Sequence, residues 1–159
     1  MDRIDLHILE ILQREGRINN QDLADQVGLS PSPCLRRVHV LEERGVIVGY
    51  QARLNPKALG LSLMALVHIS MDRHTPERFK HFEDAVSRIP EVVECLLITG
   101  QSADYQLKVM VRDMEAYQDL LLNRITRITG VTGVHSSFVL RQAGGLAALI
   151  PVPAATAGK

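Results

Sequence analysis

The sequence predicts an α+β chain in two parts: three short helices and a strand, then a βαββαβ unit of ferredoxin-like order. Three observations carry this. Up to Gly45 the apolar residues recur at helical spacing in three short segments, each closed by a glycine (Gly16, Gly28, Gly45). "NPKALGL", residues 55–61, is a linker bracketed by Pro and Gly. After it strands alternate with helices, and "RIPEV" (88–92) and "RITGV" (127–131) each end a helix and open a strand, as two related halves would.

Each element has its own warrant. In "DRIDLHILEILQREG" the residues Ile4, Ile8, Ile11 and Leu12 form one helical stripe. "NNQDLADQVG" is a shorter helix, capped by Asn19 or Asn20, with Leu23 and Val27 inward. Ser30 and Pro31 start the third helix. At 100° per residue Cys34, Val38 and Leu41 share its buried face, with Leu35 beside them. "VIVGYQARLN" opens β-branched and reads as a strand, which makes the unit winged. In the second part "SLMALVHISM", "EVVECLLIT", "DYQLKVMV" and "VTGVHSSFVLR" read as strands. "TPERFKHFEDAVSRI" is a helix with Phe79, Phe82, Val86 and Ile89 in its stripe. "MEAYQDLLLNRITRI" is another, capped by Asp113, with Met114, Tyr117, Leu121 and Ile128 near one face. The domains expected are 1–54, a linker 55–61, 62–141, and a Gly-, Ala- and Pro-rich tail 142–159 expected to be partly disordered.

Composition excludes some functions. The chain has 159 residues, of which 46% are hydrophobic and 4% aromatic, so Leu, Ile and Val must fill the core. Lys plus Arg equals Asp plus Glu at 18 each, and the part up to Leu54 has 7 basic and 8 acidic residues. Any nucleic-acid surface is therefore local. Cys34 and Cys95 lie far apart without a CxxC, as expected of buried free thiols in a reducing cytosol. "LGLSLMALVHIS" is too short and polar to span a bilayer, and the start lacks the pattern of a signal peptide. A cytoplasmic protein with no membrane partner is expected. The six histidines show no metal-ligand spacing, and the common phosphate-loop, dinucleotide, zincin and nucleophile-elbow motifs are absent, so neither metal, cofactor nor catalytic residue is expected.

Two short helices joined by "VGLS" read as a helix-turn-helix. The outward face of the third helix holds Ser32, Arg36, Val40 and Glu43, flanked by Pro33, Arg37, His39 and Arg44. Arg bonds guanine edges or phosphates, Ser reaches either, and Val40 can touch a thymine methyl. The helix start at Ser30 can receive a phosphate. A solvated face with Arg–Glu pairs is the alternative for an isolated pair of arginines; the three-helix setting favours a major-groove face.

These residues resemble a known family. The D-x-x-D-x-x-I-L start, G-R-I-x-N, V-G-L-S-P-x-P-C, L-E-x-x-G-x-I and G-Y-x-A-x-L-N-P occur in order and at close spacing, as in the Lrp/AsnC transcription regulators. The resemblance covers roughly residues 2–141. It implies a winged helix-turn-helix that binds double-stranded DNA and a RAM- or ACT-like domain that senses an amino acid. It also implies dimers joined sheet to sheet and assembled into tetramers or octamers. "TGQSADYQLKV" resembles the family's T-G-x-x-D-Y segment with one residue more. Carried over, the effector pocket comprises Leu97, Gly100, Gln101, Ser102, Asp104 and Tyr105, with Met114, Ser136, Ser137 and Phe138 from elsewhere in the unit. A mostly apolar lining favours leucine or a similar amino acid. Without the resemblance "GQSAD" is an ordinary hairpin turn. Two other functions are weighed. A sirohaem decarboxylase resembles the same two-domain fold but has no need of an arginine-bearing groove face. A stand-alone amino-acid sensor leaves residues 1–54 without a task.

Overall fold

The computed structural model describes residues 1–99 and 103–144. They divide into two compact units, Met1–Arg53 and Leu54–Ala143.

The first unit is three helices: α1 (Arg3–Arg14), α2 (Asn20–Val27) and α3 (Pro31–Glu43). Local caps set their starts. Asp2 accepts the Ile4 and Asp5 N–H groups, while Asp5 Oδ2 accepts the Asp2 N–H at 3.0 Å, a reciprocal capping box. Asn19 accepts the Asp22 N–H at 2.9 Å and starts α2. Gly28, at φ 70°, turns the chain out of α2 in the left-handed region that other residues avoid. Ile8, Ile11, Leu23, Ala24, Cys34, Val38 and Leu41 form the core. Each large aliphatic side chain buried there contributes about 1.5–3 kcal/mol.

Two expectations fail in this unit. Leu35 is 45% exposed rather than beside the core, because its position a quarter turn from Cys34 lies past the edge of the packed face. The wing strand does not form: residues 46–55 carry no strand, and Val48 stands 94% exposed. A strand needs a neighbour to take its backbone hydrogen bonds, and the first unit has no other strand among the described residues.

The second unit runs β1 (Leu63–Met71), α4 (Pro76–Val86), β2 (Val92–Leu97), β3 (Tyr105–Val111), α5 (Met114–Asp119) and β4 (Val131–Phe138). The sheet order is β2-β3-β1-β4 with every pair antiparallel, the expected βαββαβ arrangement. Ala65, Val67 and Ile69 alternate inward from β1 and pack with Phe82, Tyr105, Leu107, Tyr117, Leu120 and Ile125. The intervening residues Met64, Leu66 and His68 point to the opposite face and are partly exposed. That alternation matches the sequence reading.

The last helix differs from expectation. After Asp119 it widens into a π-helix over Leu120–Ile125, where the Thr126 N–H donates to the Leu121 carbonyl. Leu120 and Ile125 are both buried, five residues apart. An α-helix would place residues so spaced on diverging faces; the wider turn brings them onto one. Leu121 is only partly buried and Met114 is exposed, so the inward stripe is Tyr117, Leu120 and Ile125.

At the start of β4, Gly130 has φ 100° and its carbonyl accepts the Asp72 N–H at 2.8 Å. A Cβ there would sit 2.6 Å from Arg78 Cδ, inside the Arg78–Asp72 ion pair. Gly130→Ala is expected to lower stability by about 1–3 kcal/mol through backbone strain alone. Urea unfolding checks this, and an unchanged midpoint would refute it.

Candidate nucleic-acid interface and effector site

The outward side of α3 holds an unshielded cation pair. Arg36 and Arg44 are exposed and meet no acidic partner among the described residues. Ser32 and His39 are exposed beside them and Val40 is half-buried. His39 Nδ1 lies 3.3 Å from Glu42, whose carboxylate also accepts the Tyr50 hydroxyl at 2.9 Å. Burial first, then Glu42, pushes the Tyr50 phenol up to about 12. Glu42 is thus occupied inside the unit and does not neutralise Arg36.

The helix start is a poorer anion site than its position implies. Pro31 and Pro33 have no N–H, and the Cys34 N–H donates to the Ser30 carbonyl at 3.2 Å. Only the Ser32 N–H remains to be offered there. The Ser30 side chain makes no cap bond, since the residue three along, its usual donor, is Pro33. Its hydroxyl stays available. Asn20 Nδ2 donates to the Pro31 carbonyl at 2.9 Å and ties the start of α2 to that of α3.

Arg37 stands apart from its neighbours. Its Nη1 lies 2.8 Å from Asp2 Oδ2 and 2.7 Å from Asp5 Oδ1. Expected to hold a phosphate, it is already held by two carboxylates at the start of α1. The backbone bond from Asp5 and then the bond from Arg37 keep the Asp2 carboxyl below its ordinary value of 3.8. Its contribution to stability is therefore complete above that value and is lost as pH falls through the lower, folded one. An acid titration of unfolding is expected to show this loss in the wild type and not in Asp2→Asn, which caps equally well but does not titrate.

Among the described residues, the expected effector residues fall into two groups within one chain. One group lies where β1 ends. Asp104 Oδ2 accepts the Met71 N–H at 2.7 Å, and Oδ1 lies 2.7 Å from His74 Nε2. Leu97 is exposed, pairing opposite Tyr105. Tyr105 is a core residue and not a free lining group: it is 1% exposed, its ring packs on Phe79 and Phe82, and its hydroxyl donates to Glu83 at 2.8 Å. Burial, then Glu83, raises that phenol above its usual value. Gly100, Gln101 and Ser102 lie outside the described residues, as does the tail from 145 on.

The other group lies where β1 begins and on the far edge of the sheet. Phe138 pairs opposite Ala65, whereas Tyr105 pairs opposite Ile69. The Phe138 ring stands edge-on to Tyr117 at 5.0 Å, and the Tyr117 hydroxyl meets Ser136 Oγ. Met114 is exposed at the start of α5. Ser137 faces the other side of the sheet, opposite Leu66. Ser136 is therefore a partner of Tyr117, not a free polar group. β1 lies between Tyr105 on β3 and the Ser136–Phe138 stretch of β4.

Comparison with known proteins agrees with both halves. The profile described as winged helix-turn-helix DNA-binding matches residues 1–48, and that of the Lrp/AsnC ligand binding domain matches residues 64–144. The leucine-responsive regulatory proteins of Klebsiella pneumoniae and Escherichia coli K12 are each 45% identical over 142 residues, 89% of this chain and 86% of theirs. The chain belongs to the Lrp/AsnC family. Among solved structures, a Neisseria meningitidis transcriptional regulator in complex with L-Met superposes with a TM-score of 0.88 at 37% identity, covering 94% of this chain and 96% of that one. The Mycobacterium tuberculosis feast or famine regulatory protein complexed with L-methionine gives 0.84 at 35% identity, covering 94% and 99%.

Among the contacts of this Lrp/AsnC chain that escaped the sequence reading are Arg37 with Asp2 and Asp5, Tyr50 with Glu42, and His74 with Asp104. The first had a signal, since acidic residues three apart at a helix start mark a capping box whose outer oxygens stay free. The other two join side chains whose approach depends on folding. Cys95, expected buried, is exposed on the edge strand β2, although burial of its thiol and then the Glu83 charge push it up to about 11. Cys34 is buried as expected.

Proposed function

We propose that this Lrp/AsnC chain is a transcriptional regulator that binds double-stranded DNA through α3 and responds to an apolar amino acid through its second unit. One observation carries the DNA-binding half: two arginines with no acidic partner among the described residues, Arg36 and Arg44, on the outward face of the second helix of a helix-turn-helix. Arg36, with Ser32 and Val40, reads base edges. Arg44, Ser30 and His39 approach the backbone, and Pro33 shapes the helix start. A dimer places two such helices about one DNA turn apart. The working place is the cytoplasm; among the described residues no helix is long and apolar enough to cross a membrane. The Neisseria meningitidis neighbour named above is a transcriptional regulator, and the other relatives named are regulatory proteins, which favours this reading over a decarboxylase.

The effector half rests on the family membership and on the neighbours' complexes with methionine. The division of the expected lining between two ends of the sheet favours a pocket completed by another copy, in a dimer that assembles into a tetramer or octamer. Asp104 then acts on the loop it anchors: its carboxylate joins the loop's end to β1 and His74. Leucine, methionine and their relatives are the effectors proposed.

A thermal-shift screen against the twenty amino acids tests this reading. A ligand of the folded state raises the melting temperature by mass action. A shift confined to leucine, methionine and similar side chains is expected. Its absence for all twenty would remove the effector and leave DNA binding to be tested alone. Asp104→Ala is expected to abolish that shift while duplex binding persists, and to cost about 1–3 kcal/mol by orphaning the Met71 N–H. A mutant with the wild-type shift would remove Asp104 from the site.

A further inference from the structure

The contact between Arg37 and the start of α1 has a consequence for how α3 meets DNA. Every carboxylate oxygen of Asp2 and Asp5 is committed. Asp2 Oδ1 accepts the Ile4 and Asp5 N–H groups at 3.0 and 2.9 Å, and Asp5 Oδ2 accepts the Asp2 N–H at 3.0 Å. The remaining oxygen of each, Asp2 Oδ2 and Asp5 Oδ1, takes Arg37 Nη1. The two carboxylates thus offer one guanidinium a pair of anionic oxygens, as a phosphate would. The hydrogen bonds that Arg37 donates to Asp5 and then to Asp2 hold its charge more firmly than usual.

Charge decides what the cluster does beside DNA. One guanidinium against two carboxylates leaves the contact itself net negative, while the exposed Arg3 side chain and Met1 amino group add positive charge beside it. A DNA phosphate drawn toward Arg37 meets repulsion from both aspartates, whereas Arg36 and Arg44 present no such shield. The Arg37 side chain is 32% exposed and Asp2 54%, so the cluster faces water and can be felt by a backbone passing α1.

We propose that Arg37 is a positioning residue and not a DNA contact: Asp2 and Asp5 occupy its guanidinium in place of a phosphate. The pairing seats α3 on α1 and leaves Arg36 and Arg44 as the cations of this face without an acidic partner among the described residues. The inference rests on α3 being the DNA-facing helix.

The test is a mutant cycle on the full-length protein, read as the dependence of binding on salt. The probe is a labelled random-sequence duplex, followed by fluorescence anisotropy. Each phosphate contact adds about 0.9 to the slope of log affinity against log salt. Asp2→Asn with Asp5→Asn keeps an N-cap but frees Arg37. This pair is expected to steepen the slope by about 0.9 where Arg37 is present, and to leave it unchanged in an Arg37→Gln background. Arg37→Gln alone is expected to keep the wild-type slope while weakening discrimination for a selected operator, with Arg37→Lys restoring part of it. The proposal is overturned if Arg37→Gln alone flattens the slope by about 0.9, since Arg37 then already holds a phosphate. It is overturned equally if the aspartate pair changes the slope by the same amount with and without Arg37, or in neither background. Should the double variant lose its helical circular dichroism, Asp5→Asn alone retains Asp2 as cap and removes one of the two carboxylates on Arg37, so a smaller steepening is expected with Arg37 present and none in the Arg37→Gln background. Failure of the α3 reading looks different: Arg36→Ala would leave operator affinity intact whatever the cycle shows.

Discussion

Arg36→Ala is expected to weaken binding to a selected operator by about 1–3 kcal/mol at fixed salt, roughly 5- to 150-fold. The side chain is exposed on the outward face of α3 with no acidic partner among the described residues, so its removal leaves nothing inside the protein unpaired. The loss is then a loss of contact with DNA and not of fold. It is expected to fall on specific binding, with relaxed preference at the base pair Arg36 meets. Arg44→Ala is expected to weaken all sequences alike and to flatten the salt slope by about one contact. Anisotropy titrations against operator and random duplex separate the two. Equal loss on both duplexes for Arg36→Ala would move it from the bases to the backbone.

Phe82→Ala is expected to cost about 3–5 kcal/mol, the range for deleting a fully buried aromatic ring. Phe82 has no exposed surface, and its ring lies 4.6 Å from that of Tyr105. The cavity would open between α4 and the centre of the sheet, where Val67, Ile69 and Leu107 cannot close it without shifting a paired strand. A small domain has about 5–15 kcal/mol in total, so the loss is a large share. Tyr105→Phe, which gives up only the bond to Glu83, is expected to cost about 0.5–1.5 kcal/mol. Urea unfolding of the two variants ranks them. A Phe82→Ala cost no larger than that of Tyr105→Phe would show that the core is not organised around this ring.

The elements were legible where their signals are local. Asn19, Gly28 and Asp113 act on backbone groups within a few residues, so they mark helix ends whatever surrounds them. The two-residue alternation of β1 separates Ala65, Val67 and Ile69 from Met64, Leu66 and His68 in the sequence as in the sheet. The strand expected at 46–55 was not decidable this way. Its β-branched start is a propensity, and a propensity without a neighbouring strand has no hydrogen bonds to make. The π-helix was hidden likewise, since it answers to where Leu120 and Ile125 must pack.

The candidate site divides along the same line. The outward face of α3 follows from helical periodicity, because Cys34, Val38 and Leu41 leave Ser32, Arg36 and Val40 on the other side. Which of its arginines is free does not follow, since Arg36 and Arg37 are neighbours of one type, and only the approach of α1 places Asp2 and Asp5 against the second. The described effector residues are adjacent in a motif or share a strand, yet strand pairing places Tyr105 and Phe138 on opposite sides of β1, opposite Ile69 and Ala65. Sequence alone determined the helices, the strand alternation and the family, because caps, periodicity and motif order act over a few residues. Tertiary structure alone decided which charges are spent inside the protein and which side chains meet, because those depend on distances between segments far apart in the chain.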